Sequence, residues 1–151
     1  MAHQWHQPGP GDPSPSSDAG GGRCPVGSWE QEFQSAPSSV PASRCFVAGA
    51  LDRCGITAPA VVDDALLVVS ELATNSVEHA RTPFRVEVSA TTVLRIAVVD
   101  GSLALPRVEN PAALTPRGRG MVIVDRTADR WGTEVERAAK RVWWEVDLRG
   151  P

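Results

Sequence analysis

Two amphipathic helices are predicted in the first half of the chain. Apolar residues recur at spacings of three, four and seven from Val40 to Cys54, which is typical of one helical face. Pro37-Ser38-Ser39 is expected to supply a serine cap at its start, and Gly55 a left-handed residue at its end. A longer pattern predicts a second helix over about Pro59–Ala80. Its predicted buried side consists of Val62, Leu66, Val69, Leu72, Ala73, Val77 and Ala80.

The hydrophobic period changes from helical to alternating after the second helix. Residues 84–90 alternate apolar with polar side chains, and residues 93–99 are nearly all apolar around Arg95. We therefore predict two strands joined by a turn at Thr91-Thr92. Farther along, the segment GRGMVIVDRTAD has the apolar spacing of a third helix.

The order of the predicted elements indicates the fold class. A short edge strand near Trp29 precedes the helices, and alternation around Trp131 and Trp144 predicts a closing hairpin. The order strand, two helices, hairpin, helix, hairpin suits a mostly antiparallel or mixed sheet with helices on one face. We therefore expect an α+β fold, a two-layer α/β sandwich formed by one domain over residues 28–151.

Residues 1–27 differ in composition from the rest of the chain. They are rich in Pro, Gly, Ser and Gln, so ordering them would cost entropy without burying apolar surface. We expect a disordered N-terminal tail. His3 and His6 lie in this tail, and without a further ligand nearby they are not expected to form a metal site.

Charge and cysteine content exclude several classes of function. The formal net charge is −3 and the basic residues are scattered among acidic ones, so we expect no direct binding of nucleic acid. The three cysteines, Cys24, Cys45 and Cys54, lack CxxC spacing and suit a reducing compartment. Because no apolar run has the length of a signal peptide or a membrane span, we expect a cytoplasmic protein without membrane association.

The second predicted helix carries the first candidate site. Glu71, Asn75 and His79 are spaced four apart and so form a polar stripe along it. A carboxylate and an amide one turn apart suit phosphoryl chemistry, because the carboxylate can deprotonate a hydroxyl and the amide oxygen can bind Mg²⁺. The alternative is that the stripe is simply the solvated face of the helix.

Two further groups have the character of a nucleotide site. Asp100 ends an apolar strand, where a buried carboxylate needs a donor such as the amino group of adenine. An Asp-Gly pair after a strand is also typical of a turn. Residues 116–121 form a glycine-rich segment leading into the third helix, whose free N–H groups would suit phosphate, although such glycines are often purely conformational.

Together the three motifs resemble those of the GHKL superfamily, which includes gyrase, MutL and histidine kinases. ELATNSVEHA resembles the N box, VVDGS the adenine-binding G1 box and GRGMVIVDRTADRWG the G2 box. The short loop before the G2 box and the closing KRVWW strand are most similar to stand-alone anti-sigma-factor serine/threonine kinases. The resemblance covers about Pro37–Leu148 and implies the Bergerat fold, that of histidine kinase-like ATPases.

The resemblance implies a role for each motif residue. Glu71 would be the general base, Asn75 the Mg²⁺ ligand, and Asp100 the acid that binds adenine. The other implied contacts with ATP are His79, Gly101, Gly118, Arg119, Gly120 and Met121. Residues 103–117 would form the ATP lid. Where many relatives have Asp-x-Gly-x-Gly, this chain has DGSLA, so lid geometry and ATP affinity are expected to differ.

The leading hypothesis from this resemblance is a kinase that transfers the ATP γ-phosphoryl group to a serine or threonine. Its implied partners are an anti-anti-sigma (STAS-like) protein and a sigma factor, and the resemblance also allows a homodimer. The alternative is a non-catalytic anti-sigma module that is nucleotide-gated or nucleotide-free; a plain ATPase is a third hypothesis. His79 is not expected to accept phosphate, since the resemblance places that histidine on a separate helical domain.

Overall fold

The computed structural model describes residues 26–102 and 119–150. In these residues a five-stranded sheet packs against a layer of helices, which confirms the predicted α+β two-layer sandwich. The elements in chain order are β1 Gly27–Phe33, α1 Ser39–Arg53, α2 Pro59–Asn75, a π-helical turn Ser76–Ala80, β2 Phe84–Ala90, β3 Val93–Asp100, α3 Arg119–Thr127, β4 Arg130–Glu136 and β5 Ala139–Asp147.

The sheet has the strand order β1-β2-β3-β5-β4, and all four pairings are antiparallel. The predicted β2–β3 hairpin is confirmed, with Phe84 opposite Asp100 and Ala90 opposite Leu94. β5 then pairs with β3 rather than with an edge, so that Lys140 lies opposite Asp100. The register therefore brings the end of β3 next to the start of β5.

The core lies between the sheet and the helices. Alternate residues of β2, β3 and β5 face the helices and are buried, which confirms the period-two pattern of residues 84–90. Trp144 is fully buried at the centre of β5, and its Nε1 donates a hydrogen bond to Oγ1 of Thr127 on α3, 3.0 Å away. This bond satisfies the one polar atom of the indole and ties α3 to the sheet.

The ends of α1 differ in part from the prediction. Gly55 follows the helix with a positive φ of 66°, which confirms the left-handed C-terminal residue. The predicted serine cap is wrong, because Ser38 at the N-cap makes no side-chain capping bond. The hydroxyl of Ser39 instead donates to the carbonyl of Gln34 at 2.6 Å, which joins the start of α1 to the end of β1.

The other face of the sheet carries a network of charged side chains. Arg141 on β5 reaches across β3 to Glu87 on β2 with hydrogen bonds of 3.0 and 3.1 Å, and Arg85 adds one of 2.8 Å. Ala97 of β3, the strand between Arg141 and Glu87, is only 2% exposed. Burial alone would raise the pKa of Glu87, but the hydrogen bonds and charges of Arg141 and Arg85 outweigh it, so the pKa is lowered.

Some expectations concern residues outside the described ranges. These are most of the predicted tail, the predicted lid over residues 103–117 and Gly118. The first strand begins at Gly27, two residues before Trp29 and within the span assigned to the tail. In the part of the chain that is described, the helices are all too short or too polar to span a lipid bilayer.

Candidate functional site

The C-terminal end of α2 is the centre of the candidate site. After Asn75 the helix widens into the π-turn Ser76–Ala80, which ends at Arg81 in the left-handed conformation with φ of 54°. The N–H of Arg81 closes the turn by donating to the carbonyl of Ser76, five residues back. Single π-helical turns in longer helices frequently occur at functional sites, because they redirect side chains.

Glu71 and Asn75 converge on the start of α3. A Cβ atom added to Gly120 would lie 2.9 Å from Oε2 of Glu71 and 3.7 Å from Nδ2 of Asn75. Glycine at this position therefore lets the backbone of α3 approach the carboxylate and the amide closely. The contact shows that Glu71 and Asn75 are not merely a solvated helix face, because α3 packs against them.

Glu71 is half-buried, and its carboxyl group is electrostatically perturbed. Burial is the main cause that raises its pKa above the ordinary 4.5, and the negative charge of Glu78 raises it further. A carboxylate with a raised pKa is a stronger base than one in free solution, so this environment suits proton abstraction.

Asp100 is buried at the tip of β3 and is held by groups from three directions. Its Oδ2 accepts a hydrogen bond of 2.8 Å from the hydroxyl of Ser76. Its Oδ1 accepts one of 2.9 Å from the N–H of Ser102 and lies 3.7 Å from Nζ of Lys140. These donors offset the cost of burying a carboxylate that is only 4% exposed.

The residue after Asp100 is fixed as well. The N–H of Gly101 donates to Oγ1 of Thr82 at 2.9 Å, and a Cβ added to Gly101 would lie 3.1 Å from that same oxygen. Thr82 follows the π-turn, so the end of β3 is attached to the end of α2 through both Thr82 and Ser76. The first two predicted motifs are thereby joined into one structural unit.

The remaining predicted residues differ in their surroundings. His79 is exposed and lines an open pocket of about 440 Å³ together with Val77, Glu78 and Arg81. Met121 is 5% exposed and belongs to the hydrophobic core, so only its backbone is available to a ligand. Arg119 is the first residue of α3, and Gly118 lies outside the described residues.

Three residues of this unit were not among the predicted site residues: Ser76, Thr82 and Lys140. Lys140 carried a readable signal, because it occupies a position in β5 that alternates with the apolar Val142 and Trp144. A charged residue on the inward face of a strand needs a partner, and Asp100 lies directly opposite. Ser76 and Thr82 carried no comparable signal, because serine and threonine occur in many helices and loops.

Among the described residues, no cluster of three or more His, Cys, Asp or Glu side chains is arranged to hold a metal ion. Asn75 contributes one amide beside the Glu71 carboxylate, which is a small donor set. Mg²⁺ in nucleotide sites takes most of its ligands from phosphate oxygens and water, with one or two from the protein. The described residues therefore fit an ion that arrives with a nucleotide.

Comparison with known proteins identifies the family. A profile of the histidine kinase-like ATPase domain matches residues 33–144, a range that includes every described site residue. The chain belongs to this family. The resemblance to GHKL ATPases in the three sequence motifs is thereby confirmed. A comparison with curated protein sequences finds no match.

A solved structure shows the same fold. The histidine kinase-like ATPase chain is similar to the crystal structure of the RsbU and RsbW domains of Rv1364c from Mycobacterium tuberculosis, with a TM-score of 0.61 and 13% sequence identity. The similarity covers 84% of this chain and 34% of the solved chain, so this chain spans about a third of that chain's length. At this identity the similarity shows the fold alone.

Proposed function

We propose that this chain binds ATP at the end of α2 and transfers its γ-phosphoryl group to a serine or threonine of a partner protein. The observation that carries the proposal is the contact of Gly120 with Glu71 and Asn75, together with the hydrogen bond that joins Ser76, the residue after Asn75, to the buried Asp100. A carboxylate for the adenine base, an amide for the metal ion and a helix start for the phosphates lie around one helix end. The family match supports ATP as the ligand.

Adenine would bind at Asp100. A buried carboxylate accepts hydrogen bonds and cannot donate them when ionised, so it suits the amino group of adenine. Hydrogen bonds to a charged group contribute about 1.5–3 kcal/mol, which is enough for a useful preference for the base.

The phosphates would lie at the start of α3. The first N–H groups of a helix have no partner within it and point towards bound anions. Gly120, the second residue of α3, lies against the side chains of Glu71 and Asn75, so a phosphate at this helix start would be near both. Mg²⁺ held by the amide oxygen of Asn75 and by phosphate oxygens would offset negative charge on the transferred group.

Glu71 would act on the hydroxyl of the partner. In this step its carboxylate removes the proton of a serine or threonine, whose oxygen forms a bond to the γ-phosphorus while the bond between that phosphorus and ADP breaks. The products are a phosphorylated partner and ADP. The raised pKa of Glu71 supports this role, since a base is most effective when its pKa approaches the working pH.

The partner would be an anti-anti-sigma (STAS-like) protein, and the same surface would bind a sigma factor. This assignment rests on the resemblance of the three motifs to anti-sigma-factor kinases and on the fold shared with the solved structure of the RsbU and RsbW domains of Rv1364c. A cytoplasmic location goes with such partners.

The test uses γ-labelled ATP and an anti-anti-sigma protein encoded in the same genome. Wild type should bind ATP and label the partner, whereas Glu71→Gln should retain binding and slow transfer by roughly 10²–10⁴-fold. Asp100→Ala should lose binding. Glu32→Gln, which removes an exposed carboxylate from β1, is the matched control and should keep the transfer.

Two results would contradict the proposal. ATP binding without any transfer would favour the non-catalytic module, for which the altered G1 box is the specific observation. Failure of wild type to bind ATP in the presence of Mg²⁺ would refute the proposed nucleotide site.

A further inference from the structure

Ser76 departs from the usual behaviour of a helical serine. Such a hydroxyl normally donates to the carbonyl four residues back, as Ser70 does to Leu66 at 2.7 Å. The hydroxyl of Ser76 lies 3.3 Å from the carbonyl of Leu72 but only 2.8 Å from Oδ2 of Asp100. It carries a single proton, so the shorter contact to Asp100 receives it.

This bond connects the helix layer to the tip of the sheet within the core. Ser76 is 1% exposed and Asp100 is 5% exposed, so the hydrogen bond between them is largely shielded from water. A hydrogen bond to a charged group in such surroundings is stronger than one between neutral groups at the surface. The bond therefore has the strength to determine the orientation of the Asp100 carboxylate.

With this bond in place, both carboxylate oxygens are oriented by donors. The N–H of Ser102 and the ammonium group of Lys140 approach Oδ1, while the hydroxyl of Ser76 approaches Oδ2. Each oxygen has two lone pairs, so acceptor capacity remains for one further donor. An oxo group brought to the same place would be repelled, because it is itself an acceptor.

We infer that Ser76 is a positioning residue for base selectivity: it orients Asp100 so that the site accepts purines with a 6-amino group and rejects those with a 6-oxo group. This inference rests on the proposed ATP site and assigns Ser76 a function within it. Ser76 need not touch the nucleotide, because it acts through the carboxylate.

The experiment compares ATP with inosine triphosphate, which carries an oxo group in place of the 6-amino group. Their dissociation constants are measured by calorimetry in Mg²⁺ for wild type, Ser76→Ala and Ser70→Ala. Wild type should prefer ATP by at least about tenfold, which corresponds to about 1.4 kcal/mol. Ser76→Ala should bind ATP roughly tenfold more weakly and inosine triphosphate nearly as wild type does, so that the preference largely disappears.

The controls separate positioning from folding. Ser70→Ala removes a hydroxyl from the same helix that bonds only to a backbone carbonyl, and should leave both constants unchanged. If Ser76→Ala fails to fold, Ser76→Cys replaces it, since a thiol is a weak donor of similar size.

Equal weakening of both nucleotides by Ser76→Ala would overturn the inference, because it would show a merely structural role. An unchanged preference would overturn it as well. Both of these results leave the proposed ATP site intact, provided that wild type binds ATP. If wild type binds neither nucleotide, the proposed function fails, and the inference fails with it.

Discussion

Replacement of Gly120 by alanine should separate stability from phosphoryl transfer. The new Cβ atom would lie 2.9 Å from Oε2 of Glu71, a distance that real Cβ atoms essentially never show, and 3.4 Å from its Cβ. The carboxylate end of the side chain is the part able to move, so it must swing away from α3. The backbone of Gly120 has no positive φ that would oppose alanine.

The two consequences differ in size. Alanine is favoured over glycine within a helix by up to about 1 kcal/mol, while moving Glu71 off its rotamer costs about 0.5–1.5 kcal/mol. These terms nearly cancel, so the melting temperature should change by less than about 4 °C. A shift of about 1 Å in a group that positions substrate can reduce the rate about a hundredfold, so transfer should fall steeply.

Gly49→Ala provides the matched control. Gly49 lies on the exposed side of α1, and a Cβ added there would meet no atom within 4 Å. This variant should raise the melting temperature by about 2–4 °C and leave ATP binding and transfer unchanged. Circular dichroism and the γ-phosphate transfer assay measure both quantities. If Gly120→Ala transferred phosphate at the wild-type rate, the result would refute the contact of α3 with Glu71.

Three further predictions concern stability. Thr127→Val should lower the free energy of unfolding, measured in urea, by about 1–3 kcal/mol, because Nε1 of the buried Trp144 loses its acceptor. The control Thr74→Val removes only a bond to a helix carbonyl and should lower it by less; equal losses would contradict this reasoning. Burial raises the pKa of Glu71, so wild type loses stability as pH rises above about 4.5. Glu71→Gln should therefore be more stable than wild type at pH 7, and a stability difference between the two that does not shrink on acidification would contradict this reasoning. The pKa of Glu87 is lowered because two arginine partners outweigh burial, so its contribution to stability is present above about pH 4.5 and is lost as pH falls. Glu87→Gln should have a lower melting temperature than wild type at pH 7 and the same melting temperature in acid. Equal melting temperatures at pH 7 would count against the network.

Strong periodicity explains which elements could be predicted from the sequence. Residues 84–90 alternate clearly because one face of β2 is buried and the other carries polar side chains, and residues 93–99 are nearly all apolar; the β2–β3 hairpin follows from these two patterns. The edge strand β4 is less regular. Val135 alternates with Trp131 in the sequence, yet it is 52% exposed because β4 is an edge strand of the sheet.

The site was predictable only in its local parts. Spacing along one helix brought Glu71 and Asn75 together, because residues four apart share a face. The bond from Ser76 to Asp100 joins residues 24 positions apart and depends on the sheet register and the π-turn. Neither feature leaves a pattern in a single sequence, so the contact of Ser76 with Asp100 emerged only from the folded structure.

The most direct test of the central claim is hydrogen–deuterium exchange with and without ATP and Mg²⁺. Binding at the end of α2 should slow exchange in residues 71–82, 100–102 and 119–124, and should leave residues 89–94, at the other end of the β2–β3 hairpin, unchanged. Asp100→Ala should abolish the effect. Exchange that ATP does not alter, or protection confined to other segments, would contradict the account.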